Sequence, residues 1–485
     1  MSEQDNFLGP NWLINTKEGI SLYRDVALPL RSEVGIIDVH THFSLRQIIE
    51  NQPFPNIWKA EVLEDRKEYA NCDHYIIQLA SKFSGFSQAL ARDPNLPDYE
   101  KWIALSNIFP YLEGNPVHQW LHLDLKRVFG INDLLSDQTG DKIWKRTENY
   151  LKQDDMLPQA LLKKARARVI FTTDDPIDDL SYHKMAKDLI EDIVFLPSFR
   201  PDIYCNIFDQ KWRNNIEKIC SLTGEDTSLH GLVEALRKRH DYFVSIGAKT
   251  SDHGLLEPYG LEISEKRANE IFRRAYDQKE TFTCRSLEAK EFISYFMHKF
   301  CEMNQDKQMT TQIHYGAFRN ANRYLYENWG FDVGGDVATE NVKIVDYLMP
   351  LLSKFFGGKS KKESHLVLYP MNQVFSHVNF SLERAFPLVH HGFPWWQNDT
   401  PYVIEHFLLH AANSSLLSSI TGPVCDGRKI LSEGSRFEVF DRVICKVIGK
   451  LLAEGQISYR GAVNTVKRLM HRNQIIIFGL EEFDK

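Results

Sequence analysis

The sequence contains no apolar run close to the ~20 residues that a membrane-spanning helix needs, so a membrane anchor is not expected. Its first residues, Met1 to Asp5, are polar and acidic, which is unlike a secretory signal. Seven cysteines are scattered through 485 residues without a Cys-x-x-Cys pair. We therefore expect free thiols and a cytoplasmic location.

Neither sign of charge dominates the chain. Lysine and arginine number 58 against 65 aspartates and glutamates, and the two signs are interspersed. The net charge of −7 leaves no basic footprint for nucleic acid or for an anionic membrane, so neither is expected as a partner. The hydrophobic content of 43% is sufficient for a large core, as one barrel with insertions or as two domains.

Apolar, strand-like segments recur along the chain, each followed by helix-like sequence. They cover residues 35–42, 168–173, 193–197, 245–251, 310–316, 365–370 and 388–396, and an eighth segment is not evident. Alternating β and α units with continuously apolar strands predict an α/β fold with a parallel sheet covered by helices. Their spacing favours a (β/α)8 TIM-like barrel, whose catalytic residues would follow the strands.

The chain is predicted to have three parts. Residues 1–42 form an N-terminal segment and the first barrel strand. Residues 43–165 are too long for one crossover and have apolar residues at helical spacing, so they predict a mostly helical insertion that acts as a lid. Residues 166–485 hold the remainder of the barrel and C-terminal helices, including an amphipathic packing helix at 442–454.

The pattern Asp38-Val39-His40-Thr41-His42 ends the first strand-like segment. Because alternate side chains of a strand share a face, His40 and His42 project together. Two neutral imidazoles make half of a site for zinc or a similar divalent ion. The competing interpretation is two polar residues at the end of a core strand.

Nine short motifs occur in a characteristic order between residue 11 and about residue 455. They lie at residues 38–42, 73–75, 114–123, 172–176, 196–202, 251–253, 312–320, 395–399 and 426–428. In this order they resemble uronate isomerase (glucuronate isomerase), a divergent branch of the amidohydrolase superfamily. Departures at residues 76–79, 203, 400–402 and 427 leave open which sugar acid is accepted.

The resemblance implies an aldose-ketose isomerase. Its reaction would interconvert D-glucuronate or D-galacturonate with D-fructuronate or D-tagaturonate, by metal-assisted proton transfer through an enediol. It implies a divalent metal held by His40, His42 and Asp399, with zinc expected first and manganese or cobalt as alternatives. Asp399 could instead cap a turn. The expected partner is a small sugar acid, and assembly into a homo-oligomer is left open.

Three further residues are candidates for the chemistry. His314 is expected to contact the substrate, with an auxiliary metal role or a structural role as alternatives. Tyr75 could relay a proton from the lid or be a buried aromatic, and Asp252 could be an acid/base group, bind a hydroxyl or cap a helix. The choice of base between Asp399, Tyr75 and a histidine stays open, because it depends on geometry.

The carboxylate of a sugar acid calls for a bidentate arginine. Arg200 is the first candidate and Arg428 the second, and either could instead belong to a structural salt bridge. Trp396, with its neighbour Trp395, could offer an apolar face to the sugar or lie in the core.

Two other functions compete with isomerisation. A metal-dependent amidohydrolase would cleave an amide, ester or lactone, often with a second metal bridged by a carboxylated lysine, for which Lys249 is the candidate. A catalytically inactive relative would only bind a sugar acid. The set His40, His42, His314 and Asp399 argues against that second alternative.

Overall fold

The computed structural model describes residues 7–65, 70–358 and 364–484, so the polar start at residues 1–5 lies outside it. The strands of the described residues are β1 (Ile36–Asp38), β2 (Leu63–Asp65), β3 (Ala70–Cys72), β4 (Ala167–Phe171), β5 (Val194–Leu196), β6 (Ser198–Phe199), β7 (Thr250–Leu255), β8 (Thr310–Tyr315), β9 (Ala317–Phe318), β10 (Val337–Ala338), β11 (Leu366–Pro370) and β12 (Val389–His391).

Helices surround these strands. Before β4 they are α1 (Lys17–Leu22), α2 (Leu28–Val34), α3 (Leu45–Glu50), α4 (Ile57–Glu61), α5 (His74–Ala80), α6 (Gln88–Arg92), α7 (Asp98–Ile108), α8 (Pro116–Val128), α9 (Gly140–Tyr150) and α10 (Pro158–Lys164). After β4 they are α11 (Ser181–Leu189), α12 (Trp212–Thr223), α13 (Leu229–Ile246), α14 (Glu265–Tyr276), α15 (Leu287–Lys307), α16 (Arg323–Trp329), α17 (Ile344–Phe355), α18 (Ser376–Ala385), α19 (Pro401–Ser414), α20 (Glu433–Ala453), α21 (Tyr459–Lys467) and α22 (Asn473–Phe478).

Two parallel sheets form the centre of the molecule. One has the order β1-β4-β5 and the other the order β12-β11-β8-β7-β6. Pro197, which has no backbone N–H to donate, separates β5 from β6, and a parallel bridge joins Asp174 to Phe199 beside this break. The strands follow one another across the sheets in chain order with helices between them, so the predicted α/β class is confirmed.

The parallel strands are covered on both sides, so apolar residues make up most of β4, β5 and β11, whereas β7 and β8 also bury polar side chains. Val169, Phe171, Val367 and Tyr369 are fully buried and belong to a core enclosed by the strands. Helices α12 to α15 bury a second apolar core against the outer side of β6 to β8. The largest core joins the helices that precede β4 to α19, α20 and α21.

The structure corrects the predicted strand at residues 245–251. Ser245 and Ile246 belong to α13, and Gly247 ends that helix with a φ of 117°, in the left-handed region that favours glycine. Strand β7 begins only at Thr250. The apolar residues at the end of α13 resemble a strand because three or four consecutive residues do not distinguish a period of 2 from a period of 3.6.

Residues 43–165 contribute α3 to α10 and the antiparallel hairpin of β2 and β3. Lys429 connects this region to the C-terminal part of the chain, since its ammonium lies 3.0 Å from carboxylate oxygens of both Glu61 and Asp73. All seven cysteines are free. Within the part of the chain that the structure describes, no helix has the length and apolarity to cross a membrane.

Candidate active site

Residues that follow or end the parallel strands line one pocket. His40 and His42 come directly after β1, Arg200 comes after β6, and His314 lies near the end of β8. Carboxyl ends of parallel strands share one edge of a sheet, which explains why distant segments meet here. The pocket encloses about 740 Å³ including its open mouth.

His40 and His42 converge on Asp426. The Nε2 atoms of both imidazoles lie 3.2 Å from Oδ1 of this aspartate. Ligand atoms of the three residues lie within 4.8 Å of one another, and Oδ1 receives no hydrogen bond from any described residue. Two ring nitrogens and an oxygen that face one space without hydrogen bonding fit a divalent cation. These residues therefore suit the predicted metal.

A second group lies on the other side of His40. The Nδ1 atom of His40 is 3.7 Å from Asp252, and Nδ1 of His314 is 2.8 Å from the same carboxylate. Arg200 approaches Asp252 at 3.2 Å and Asp202 at 3.7 Å. Asp252 is fully buried within β7, so it does not cap a helix.

The electrostatics keep the carboxylates ionised and two of the histidines neutral. Burial would raise the pKa of Asp252, but Arg200 and His40 hold it well below its usual range. Burial also opposes ionisation of Asp426, whose pKa is nevertheless held well below the usual range by His40 and His42. Burial lowers the pKa of His42 to about 4, assisted by Arg428, so His42 is neutral at pH 7.

Asp399, the third predicted metal ligand, has other partners than His40 and His42 in the structure, and its metal role stays a prediction. Among the described residues, no metal-type group contains Asp399. Its carboxylate pairs with Arg436 of α20 through Oδ2 and accepts a hydrogen bond from Tyr75 at 3.2 Å through Oδ1. Burial raises the pKa of Asp399, and Arg436 opposes that shift. The carboxylate beside the two imidazoles belongs to Asp426.

Tyr75 reaches the pocket from the first turn of α5, whose N-terminus is capped by Asp73. Its hydroxyl also accepts a hydrogen bond from the backbone N–H of Gln397 at 2.5 Å. Burial and the neighbouring Asp399 raise the pKa of Tyr75 well above its usual value, so the phenol is protonated at pH 7. The guanidinium of Arg436 lies 3.8 Å from the ring centroid of Trp120 and 5.5 Å from that of Tyr75, so it packs against both aromatic rings.

Arg319 and Arg428 line the mouth of the pocket together with Trp396. Arg428 lies 3.4 Å from Asp332, and Arg319 lies 3.4 Å from Asp332 and 2.7 Å from Asp336. The indole of Trp396 donates to His74 at 3.2 Å and has Arg319 at 5.0 Å from its ring. Arg200 also lines the pocket, on the side of Asp252. This cationic wall is suited to an anionic ligand.

His314 is one of the residues that line the pocket. Its ring stacks on Tyr369 at 4.5 Å and lies 4.4 Å from Trp395. Burial, together with His40, lowers its pKa to about 4. Lys249, the candidate bridging lysine of the hydrolase alternative, is paired with Glu482 at 2.7 Å and does not line the pocket.

Comparison with known proteins identifies the family. A family model described as glucuronate isomerase matches residues 4–478. The chain belongs to the glucuronate isomerase family. The resemblance read from the ordered motifs is thereby confirmed, and the chain is an isomerase of this family.

Two relatives and a more distant structure define this similarity. The uronate isomerase of Thermotoga neapolitana is 35% identical over 473 residues, which are 97% of this chain and 99% of the relative. The crystal structure of uronate isomerase from Thermotoga maritima is also 35% identical, covers 97% of this chain and 99% of its own, and has a TM-score of 0.90. Glucuronate isomerase from Caulobacter crescentus shares the fold at 22% identity, with a TM-score of 0.89 and 98% of each chain covered.

Several residues of this family member's pocket were not predicted from sequence. Asp426 lies in the motif at residues 426–428, but the sequence indicates a role only for its neighbour Arg428. Arg436 lies in α20, which begins at Glu433 and not at residue 442, among apolar residues that gave no chemical signal. Arg319 lies in the motif at residues 312–320, although the sequence indicated no role for it, and Asp332 lies further along the connection after β8, outside all nine motifs.

Proposed function

We propose that the chain interconverts an aldose hexuronate, D-glucuronate or D-galacturonate, with its 2-keto form, D-fructuronate or D-tagaturonate. The observation that carries this proposal is one pocket in which His40, His42 and Asp426 face a wall of arginines. A metal-type cluster suits the carbonyl and hydroxyl oxygens of a sugar, and the arginines suit its carboxylate. The names of the relatives supply the substrate class.

We propose that His40, His42 and Asp426 hold a divalent ion, with zinc expected first and manganese or cobalt as alternatives. When bound, the ion would act as a Lewis acid for the negative charge that develops on the sugar oxygens. Three protein ligands leave positions open for substrate. Asp252 would orient His40 through Nδ1, as a carboxylate commonly does behind a metal-bound histidine. Arg200 would hold Asp252 in place.

Proton transfer between C2 and C1 of the open-chain sugar would use Tyr75. A base removes the C2 proton to give a cis-enediol, and an acid returns a proton to C1. The phenol of Tyr75 lines the pocket, is protonated, and donates a hydrogen bond to Asp399. The carboxylate of Asp399 also pairs with Arg436. This chain of contacts supports a relay in which Tyr75 passes its hydroxyl proton to Asp399 as it takes the C2 proton, and then delivers a proton to C1 and recovers its own from Asp399.

The substrate carboxylate would be held by Arg428, with Arg319 beside it. Arg428 has a half-exposed partner in Asp332, whereas Arg200 is engaged by the fully buried Asp252. The order of the two arginine candidates is therefore reversed relative to the sequence prediction, and a direct comparison tests it.

Arg428→Met is expected to raise KM for the hexuronate by about 10- to 100-fold, because a charge-assisted hydrogen bond contributes about 1.5–3 kcal/mol. The metal content should stay as in the parent protein. Arg200→Met should instead lower kcat, since it leaves the buried Asp252 without its cation. Steady-state kinetics with metal analysis would check both. The reverse pattern, with KM affected only by Arg200→Met, would assign the carboxylate to Arg200.

A closed (β/α)8 barrel is the architecture that we propose for this site. The backbone N–H of Thr421 donates to the carbonyl of His391 beside β12, at 3.4 Å. The N–H of Asp426 donates to the carbonyl of His40 beside β1, at 3.1 Å. Residues 421–427 would thus take the eighth strand position, and residues 43–165 would cover the mouth as a lid.

A cytosolic, reducing environment is consistent with seven free thiols. Assembly into a homo-oligomer stays a prediction.

NMR of the purified protein with each hexuronate in deuterated water tests the proposed function. We expect the 2-keto sugar acid to appear with no water added and no bond hydrolysed, and with deuterium incorporated at the position that receives the proton. The hydrolase alternative lacks support for its bridging lysine, because Lys249 is paired with Glu482. Hydrolysis of an amide or lactone, with neither hexuronate converted in the presence of zinc, manganese or cobalt, would establish that alternative.

A further inference from the structure

The connection after β8 places the carboxylate of Asp332 next to two of the arginines that line the pocket. Asp332 lines the pocket, and its two oxygens contact two different guanidiniums, those of Arg428 and Arg319, each at 3.4 Å. The two oxygens of Asp332 therefore contact Arg428 and Arg319 as the two oxygens of a bound ligand's carboxylate would. The side chain is half-exposed, at 49% of its full accessibility, so it lies at the open mouth of the pocket.

The backbone around Asp332 is arranged to present this side chain. Gly330, Asp332 and Gly334 all have positive φ, at 83°, 56° and 88°. Two of these positions carry glycine, which adopts such angles without strain, and aspartate is among the few other residues that tolerate them. A Cβ on Gly334 would lie only 2.7 Å from the side chain of Gln78, so the loop passes close to α5 at this point.

The base of the loop is anchored independently of Asp332. Asp336 accepts from Arg319 at 2.7 Å and from the backbone N–H of Asn320 at 2.6 Å. The side chain of Gln78 donates to the carbonyl of Gly334. Release of the Asp332 carboxylate would therefore leave the loop attached and Arg319 still paired, while Arg428 would lose a partner.

We propose that Asp332 is a specificity-determining residue that competes with the carboxylate of the substrate for Arg428 and Arg319. This inference rests on the proposed function only for the identity of the natural ligand. A bound sugar acid must displace Asp332, so the residue weakens acid binding and holds the cationic wall neutralised when no acid is present. Neutral sugars do not compete for the arginines, and their binding is independent of Asp332.

Calorimetric binding of two probes tests this competition. D-gluconate has a carboxylate but no carbonyl to isomerise, and D-glucitol has neither. Asp332→Asn should tighten gluconate binding by about two- to fivefold, the range that partly exposed ion pairs contribute, and leave glucitol binding unchanged. Asparagine tolerates the positive φ as aspartate does, so the fold should be preserved. Asp332→Glu retains the charge and should not tighten gluconate binding.

Glu327→Gln is the matched control, because it removes the same charge from the exposed surface of α16, in the same connection. It should alter neither probe. Weaker or unchanged gluconate binding in Asp332→Asn would overturn the inference, since Asp332 would then orient the arginines or contact the ligand. Equal tightening of both probes, or no gluconate binding by the parent protein, would overturn it as well.

Turnover of hexuronates is measured separately, so the two proposals fail in different ways. If Asp332→Asn tightens gluconate binding but the parent protein converts no hexuronate, the competition stands and the proposed reaction is wrong. If the parent protein isomerises a hexuronate and Asp332→Asn leaves KM unchanged, the reaction stands and the competition is wrong.

Discussion

Asp426→Asn is expected to lose bound metal and to lower kcat by about three orders of magnitude or more, since Lewis-acid stabilisation contributes several kcal/mol. Asparagine has the same shape but is a neutral and weaker ligand. In the structure, Asp426 is the only described carboxylate that lies 3.2 Å from both His40 and His42. Metal analysis of the purified variant and turnover of the hexuronate are the two measurements.

Asp399→Asn is the matched control for this variant. It makes the same chemical change on a carboxylate that contacts Arg436 and Tyr75 and lies in none of the metal-type groups of the described residues. Its metal content should equal that of the parent protein. Metal loss in Asp399→Asn together with retention in Asp426→Asn would restore the ligand set that the sequence predicted.

Tyr75→Phe should lower kcat by about 10²- to 10⁴-fold, the range that general acid–base groups contribute. The change removes one oxygen and keeps the ring that packs against Trp120. KM and metal content should change little, because Tyr75 contacts neither the arginines of the mouth nor the metal-type cluster directly. Single-turnover kinetics and deuterium exchange at the transferred position would measure the proton step.

Tyr111→Phe provides a comparison, because it removes the same hydroxyl group from a tyrosine of the same helical region that is 69% exposed. It should leave turnover unaltered. A Tyr75→Phe variant with kcat within about twofold of the parent protein, well below the contribution of a general acid, would make Tyr75 a packing residue. The proton carrier would then have to be another group of the pocket.

The strands were largely predictable, because parallel strands that are buried on both faces are rich in apolar residues. Strands β4 and β11 consist mostly of apolar residues, β8 is buried at every position although it also carries polar residues, and all three occur close to the predicted positions. The strand predicted at residues 245–251 failed where a helix end and a strand start are adjacent. Only the left-handed conformation of Gly247 marks the boundary, and glycine alone does not reveal which side is helical.

The grouping of the polar residues was less predictable than the residues themselves. His40 and His42 could be paired from sequence because they share one strand end. Asp399 and Asp426 both follow apolar segments near the C-terminus, and each is a plausible third ligand from sequence. The two aspartates differ in their neighbours. Arg436 of α20 pairs with Asp399, whereas the imidazoles of His40 and His42 lie next to Asp426.

The sequence by itself determined the family, the α/β class and the pair His40 and His42, because these depend on residue order and on the alternation of side chains along a strand. Only the tertiary structure decided that Asp426 completes the cluster, that Asp252 and Arg200 lie behind it, and that Asp332 neutralises the arginines of the mouth. These contacts join segments far apart in the chain, and their distances are set by how helices and loops pack, which no local pattern encodes.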